Sequence, residues 1–196
     1  MKKALSLLFY FGVGVLVVWS MLTVWVNYSG NHKITLIGDP LANHKELFVY
    51  NPDPIFNLDE QVCTSFAQSL SRHGFVSTIA TTQLAAIDTS EYQLYIFCAN
   101  TYNWAPDWSI MNIIKEHTGL ASKNTIAITL GAGSTDRAQR VFEQALLDKK
   151  CNLLDSLTYW LLRPNDDSRP GEDNVQVATQ LAGSWGEEIG RRLGGI

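Results

Sequence analysis

Two aromatic side chains, Tyr102 and Trp104, stand in one short stretch, Ala99-Asn-Thr-Tyr-Asn-Trp-Ala-Pro106, directly after an apolar run from Leu94 to Ala99. Such rings can hold a flat conjugated ligand by stacking. They can equally pack on the helix that follows, and the bare sequence leaves both roles open. A second candidate is Gly131-Ala-Gly133-Ser-Thr135, which ends another apolar run and leads into a helical pattern. Backbone N–H groups at a helix start attract anions, and Arg137 and Arg140 lie just beyond, although arginines one turn into a helix are more often solvated. The third candidate is Asn51-Pro-Asp-Pro-Ile-Phe-Asn57, whose prolines force a loop.

Other chemistries find no footing. His32, His44, His73 and His117 are scattered, and Cys63, Cys98 and Cys151 form no CxxC or metal-ligand spacing. There is no GxSxG elbow and no GK[ST] phosphate loop, so acyl transfer and nucleotide hydrolysis have no motif to rest on. Past the first 26 residues, 19 acidic residues face 13 basic ones (all Lys and Arg except Lys2 and Lys3), which argues against nucleic acid as a partner. Asp166, Asp167, Glu172 and Asp173 read as a solvated surface turn within a polar loop from Arg163 to Asp173.

The elements that must position the three loops follow from hydrophobic patterning. Glu46 to Tyr50, Phe75 to Thr81, Leu94 to Ala99, Thr125 to Leu130 and a less sharply bounded segment from Cys151 to Leu162 read as five strands. Runs that are apolar throughout suit strands covered on both faces. Between them lie helical patterns: Val62, Phe66, Ala67 and Leu70; Ile110, Ile113, Ile114 and His117; Ala138, Val141, Phe142, Ala145 and Leu146. Ala178 to Leu193 closes the chain with an amphipathic helix. Asn57 with Glu60 predicts a capping box at the start of the first of these helices, and Pro106 and Asp107 open the second. Strands alternating with helices imply an α/β fold with a mainly parallel, doubly wound sheet, whose ligands bind beyond the carboxyl ends of the strands.

Three stretches then carry a family resemblance. Glu46-Leu-Phe-Val-Tyr-Asn-Pro-Asp53, Tyr92 through Pro106, and the strand ending in Gly131-Ala-Gly133 resemble the flavodoxin family in order and spacing, over about Glu46 to Leu193. The resemblance implies strand order 2-1-3-4-5, helices on both faces, and flavin mononucleotide between the loops after strands 1, 3 and 4. By position it assigns Thr101, Tyr102, Asn103 and Trp104 to the loop that stacks on the isoalloxazine ring. It assigns Gly131, Ala132, Gly133 and Ser134 to the loop along the ring's other edge. Asn51, Ile55, Phe56 and Asn57 fall where the phosphate would be held. Here the sequence departs from the family: the stretch has no Gly and no hydroxyl, and neither Pro52 nor Pro54 has an N–H. Asp53, Asp59 and Glu60 add negative charge, and two unit charges ~4 Å apart at an effective dielectric of 20 interact by about 4 kcal/mol.

Before this domain, Ala4 to Val26 runs 23 residues without a charged residue or histidine, as a helix about 34 Å long, enough to cross a bilayer. Trp25 and Tyr28 suit the interface, and no small-x-small cleavage pattern follows. The sequence therefore divides into a transmembrane anchor (residues 1–27), a connector (28–45) whose Ile34 to Ile37 stretch can pack on the domain, and a flavodoxin-like domain (46–196). Lys2 and Lys3 against the more distant His32, Lys33 and Lys45 favour, narrowly, a cytoplasmic N-terminus. The combined expectation is a single-pass membrane protein that binds flavin mononucleotide and carries electrons to an unnamed redox protein or quinone. Two alternatives are a flavodoxin-like binding or scaffold module without flavin, and a flavin-dependent NAD(P)H or quinone reductase.

Overall fold

A computed structural model describes residues 2–28, 33–53, 55–82 and 90–194. Helix α1 (Lys2–Tyr28) precedes the domain. Strands β2 (His44–Tyr50), β3 (Phe75–Thr81), β4 (Leu94–Tyr102), β6 (Asn124–Gly131) and β7 (Asn152–Trp160) are all parallel and lie side by side as β3-β2-β4-β6-β7. Numbered among themselves, these five have the order 2-1-3-4-5 expected from the resemblance. The connector adds an edge: β1 (Ile34–Ile37) pairs antiparallel with β3. A two-residue β5 (Ala105–Pro106) folds back on the end of β4.

The alternation of side chains across each strand builds two cores. On one face Phe48, Tyr50, Ile96, Cys98, Ile126 and Ile128 meet α2 (Leu58–Ser71) and α5 (Asn174–Gly194). On the other, Leu47, Val49, Tyr95, Phe97 and Ala127 meet α3 (Trp108–Glu116) and α4 (Asp136–Asp148). Burial on both faces explains why β2, β4 and β6 read as unbroken apolar runs. Helices α2 and α5 pack closely because Gly186 has no side chain: a Cβ there would sit 2.6 Å from the Phe66 carbonyl oxygen. The three cysteines are buried and unpaired, as small apolar residues.

One local expectation changes. Asn57 precedes α2 in a left-handed conformation (φ 53°) and its side chain makes no cap hydrogen bond, so the capping box does not form. The helix start is held instead by Asp59, whose Oδ1 accepts the Glu60 N–H at 2.8 Å, while Glu60 turns out to pair with Lys33. The other helix start behaves as read, with Asp107 capping α3 through the Ile110 N–H. Pro54, Gly30 and His32 lie outside the described residues.

Candidate functional site at the carboxyl end of the sheet

All three loops singled out in the sequence leave the carboxyl ends of central strands, β2, β4 and β6, and so share one end of the sheet. The first is held by carboxylates. Asp53 Oδ1 accepts the N–H groups of both Ile55 (2.7 Å) and Phe56 (3.2 Å). Asp53 in turn gives its own N–H to Asp59 Oδ2 at 2.6 Å. The side chains of Ile55 and Phe56 point to solvent. The Ile55 and Phe56 amides are therefore already bonded to an anionic side chain of the same loop.

Behind it lies a buried polar network. Asn100, at the end of β4, gives its amide hydrogens to Asp59 Oδ2 (2.9 Å) and to the Asn51 carbonyl (3.2 Å). Asn51 is buried too, accepting from Thr82 and donating to the Asn27 carbonyl of α1. Burial pushes the Asp59 carboxyl up to about 6 against the hydrogen bonds that favour its charge. Burial likewise pushes Asp107 up to about 7, against N–H donors from Ile110, Asn100 and Ser109. Low-dielectric surroundings disfavour the charged form of any carboxyl, whatever its role.

The second loop is a two-residue hairpin. Asn103 and Trp104 both have positive φ (52° and 59°), as a turn of the I′ type requires, between Tyr102 and Ala105, which face each other. Asparagine tolerates this conformation; a tryptophan there costs about 1–2 kcal/mol. Trp104 is 59 % exposed, so its ring does not pack on the following helix. Tyr102 does the opposite. Its hydroxyl is buried with no partner among the described residues, and burial followed by the negative charge of Asp53, Asp107 and Asp59 raises its ionisation well above the ordinary phenol range. Thr101 Oγ1 is also buried without a partner among the described residues.

Against Thr101 lies the third loop. A Cβ on Gly131 would stand 2.6 Å from Thr135 Cγ2 and 3.1 Å from Thr101 Cβ, so glycine is what permits the β4 and β6 loops to approach. The Gly131 and Ala132 carbonyls accept N–H groups of Leu161 and Leu162, fixing the loop to the chain beyond β7. Gly133 and Ser134 stand at the rim.

A residue that sequence reading left in the anchor completes the arrangement. Asn27, near the end of α1, is fully buried; its Oδ1 accepts the Trp108 N–H at 2.7 Å and its carbonyl accepts from Ser109 and Asn51. Two turns earlier, Trp19 Nε1 donates to Asn103 Oδ1 (3.0 Å), and Asn103 Nδ2 donates to Thr23 Oγ1 (3.0 Å). The end of α1 thus sits against the β2 end, the β4–β5 hairpin and the start of α3. A lone polar residue closing an apolar helix was the one available signal for it.

Flavin mononucleotide, which the resemblance implies, meets two unlike halves here. Thr101 and Tyr102 offer two buried hydroxyls that have no partner among the described residues. The loop from Asn51 to Asn57 does not suit a phosphate, since Asp53 occupies its amides and Asp59 lies next to it. The residues present do not fit the phosphorylated cofactor as a whole.

No protein-family model matches the sequence, and no curated protein matches it. Solved structures do match. The flavodiiron protein of Giardia intestinalis aligns over 76 % of this chain and 36 % of its own, with a TM-score of 0.60 and 16 % identity. A flavodoxin of Streptococcus pneumonia aligns over 76 % of this chain and 99 % of its own (TM-score 0.54, 15 % identity). That of Megasphaera elsdenii aligns over 71 % and 98 % (TM-score 0.53, 9 % identity). The chain thus spans about a third of the flavodiiron protein and nearly all of each flavodoxin, and its fold is flavodoxin-like.

Proposed function

We propose that this chain is a membrane-tethered, flavodoxin-like binding module that works without flavin mononucleotide. The observation that carries this reading is Asp53, whose carboxylate takes the two loop amides a phosphate would need. A dianionic phosphate placed there would meet Asp53 and Asp59 at a cost of several kcal/mol, more than separates a micromolar site from no site. The tether is α1, whose 25 residues from Lys3 to Asn27 are long and apolar enough to cross a bilayer. By charge, the domain lies on the side opposite the cytoplasm. The test is to purify the full chain in detergent and record its absorbance: a colourless, folded protein that ignores added flavin mononucleotide supports the proposal, and a stoichiometric yellow complex overturns it.

A second reading keeps the electron carrier. It is favoured by the unpartnered Thr101 Oγ1 and Tyr102 Oη, which could face the polar edge of a flavin ring. A bound flavin would supply the redox chemistry, and the protein would orient it and set its potential. In that case Tyr102→Phe weakens flavin binding; unchanged affinity removes the reason for this reading. A redox partner would then be a membrane protein or a quinone within reach of the tether.

A further inference from the structure

We propose that the carboxyl end of the sheet lies against the lipid bilayer, with the tip of the β4–β5 hairpin inserted into the leaflet on the domain's side. This rests on the reading of α1 as a membrane-crossing helix, and the observations that extend it are the bonds between α1 and the hairpin.

The argument is one of lengths. A hydrocarbon core of about 30 Å takes about 20 residues of helix, Ala4 to Thr23, which places Thr23 at its edge and Trp19 about 6 Å inside. Setting Trp19 at the edge instead leaves Lys3 to Val18, about 24 Å, too short to cross. Asn103 is bonded to both Trp19 and Thr23. Its amide therefore lies at the edge of the hydrocarbon or just within it, and Trp104 next to it goes along.

The chemistry of the hairpin agrees with that depth. Polar groups entering lipid must be satisfied internally. Both ends of the Asn103 amide have a partner on α1: its oxygen accepts the Trp19 indole N–H and its nitrogen donates to Thr23 Oγ1. Tyr102 and Ala105 face each other as paired strand residues. Trp104 is held outward in a conformation that costs a tryptophan energy, and amphipathic indole rings favour the membrane interface. Exposed Trp108, Ile55 and Phe56 belong to the same end of the sheet, whereas the neighbouring carboxylates Asp59 and Asp107 are buried in the domain. The partner this surface fits is the interfacial layer of a lipid bilayer. Any ligand of the three loops would then reach them from the membrane rather than from open water.

The test uses the full chain in phosphatidylcholine vesicles. Nitroxide labels are placed singly at Trp104→Cys, Leu41→Cys and Val15→Cys, the native cysteines being buried. Oxygen accessibility is compared with that of a water-soluble nickel chelate. Leu41, 88 % exposed before β2 and so toward the amino end of the sheet, is the aqueous reference. The expected result is that the Val15 label reads as mid-bilayer and the Trp104 label favours oxygen over the chelate severalfold more than the Leu41 label does. A Val15 label in lipid with a Trp104 label as aqueous as Leu41 overturns the inserted hairpin and leaves the anchor standing. An aqueous Val15 label overturns the anchor itself. Asn103→Ala, which removes both bonds to α1, should shift the Trp104 label toward water; no shift would show that those bonds do not set its depth.

Discussion

The loop after β2 and the hairpin after β4 leave adjacent strands at the same end of one sheet, yet they treat polar groups in opposite ways. The first closes on itself: Asp53 takes the Ile55 and Phe56 amides and Asp59 takes the Asp53 amide. The second leaves Thr101 Oγ1 and Tyr102 Oη buried without partners among the described residues and bonds Asn103 to a helix outside the domain. One end of a sheet can therefore carry a loop closed on its own carboxylates beside a hairpin bonded to a separate helix. The two halves are separable because each is set by its own loop, while the strands beneath only fix where the loops begin.

The largest effect should come from undoing the first loop. Asp53→Ala frees both amides and removes a charge, so affinity for flavin mononucleotide should rise at least tenfold over the parent chain, with inorganic phosphate competing. No gain would mean that Asp53 is not what closes the site. Next comes pH. Asp59 and Asp107, pushed up to about 6 and 7, and Glu46, buried with one oxygen unpartnered and pushed up to about 8, all hold protons more tightly folded than unfolded. These three groups therefore bind more protons in the folded state than in the unfolded one between about pH 4 and 8, and their contribution to stability should fall as pH rises through that window. Thermal unfolding at pH 5 and pH 8 checks this, and Glu46→Gln should flatten the upper part of the slope.

Asn27→Ala removes the acceptor for the Trp108 N–H and should cost about 1–2 kcal/mol, read as faster hydrogen exchange of that amide. The smallest effect tests the hairpin itself: Trp104→Asn relieves a left-handed tryptophan and should stabilise the detergent-solubilised chain by about 1 kcal/mol.

How much of this was legible in the sequence differs by region for physical reasons. Strand positions came through because β2, β4 and β6 are buried on both faces and so are written as apolar runs; β3 was read to the residue. The altered phosphate loop was visible as missing glycines, missing hydroxyls and extra acids. What Asp53 does was not visible, because a side chain capping amides two and three residues ahead depends on loop conformation rather than composition. The bonds of Asn27 to Trp108 and Ser109, and those of Asn103 to Trp19 and Thr23, were not legible for a different reason: they span 80 residues or more, a separation that no local pattern encodes. Asn57 was misread because a good cap residue with a glutamate three positions on still needs extended backbone, and here it is left-handed.

The central claim, that Asp53 closes the phosphate half of this end, is tested most directly by titrating the full chain in detergent with flavin mononucleotide and with riboflavin under the same conditions. The account predicts that the two ligands behave alike, within about twofold, because Asp53 holds the Ile55 and Phe56 amides that the phosphate would need. Flavin mononucleotide binding tenfold tighter than riboflavin would contradict it.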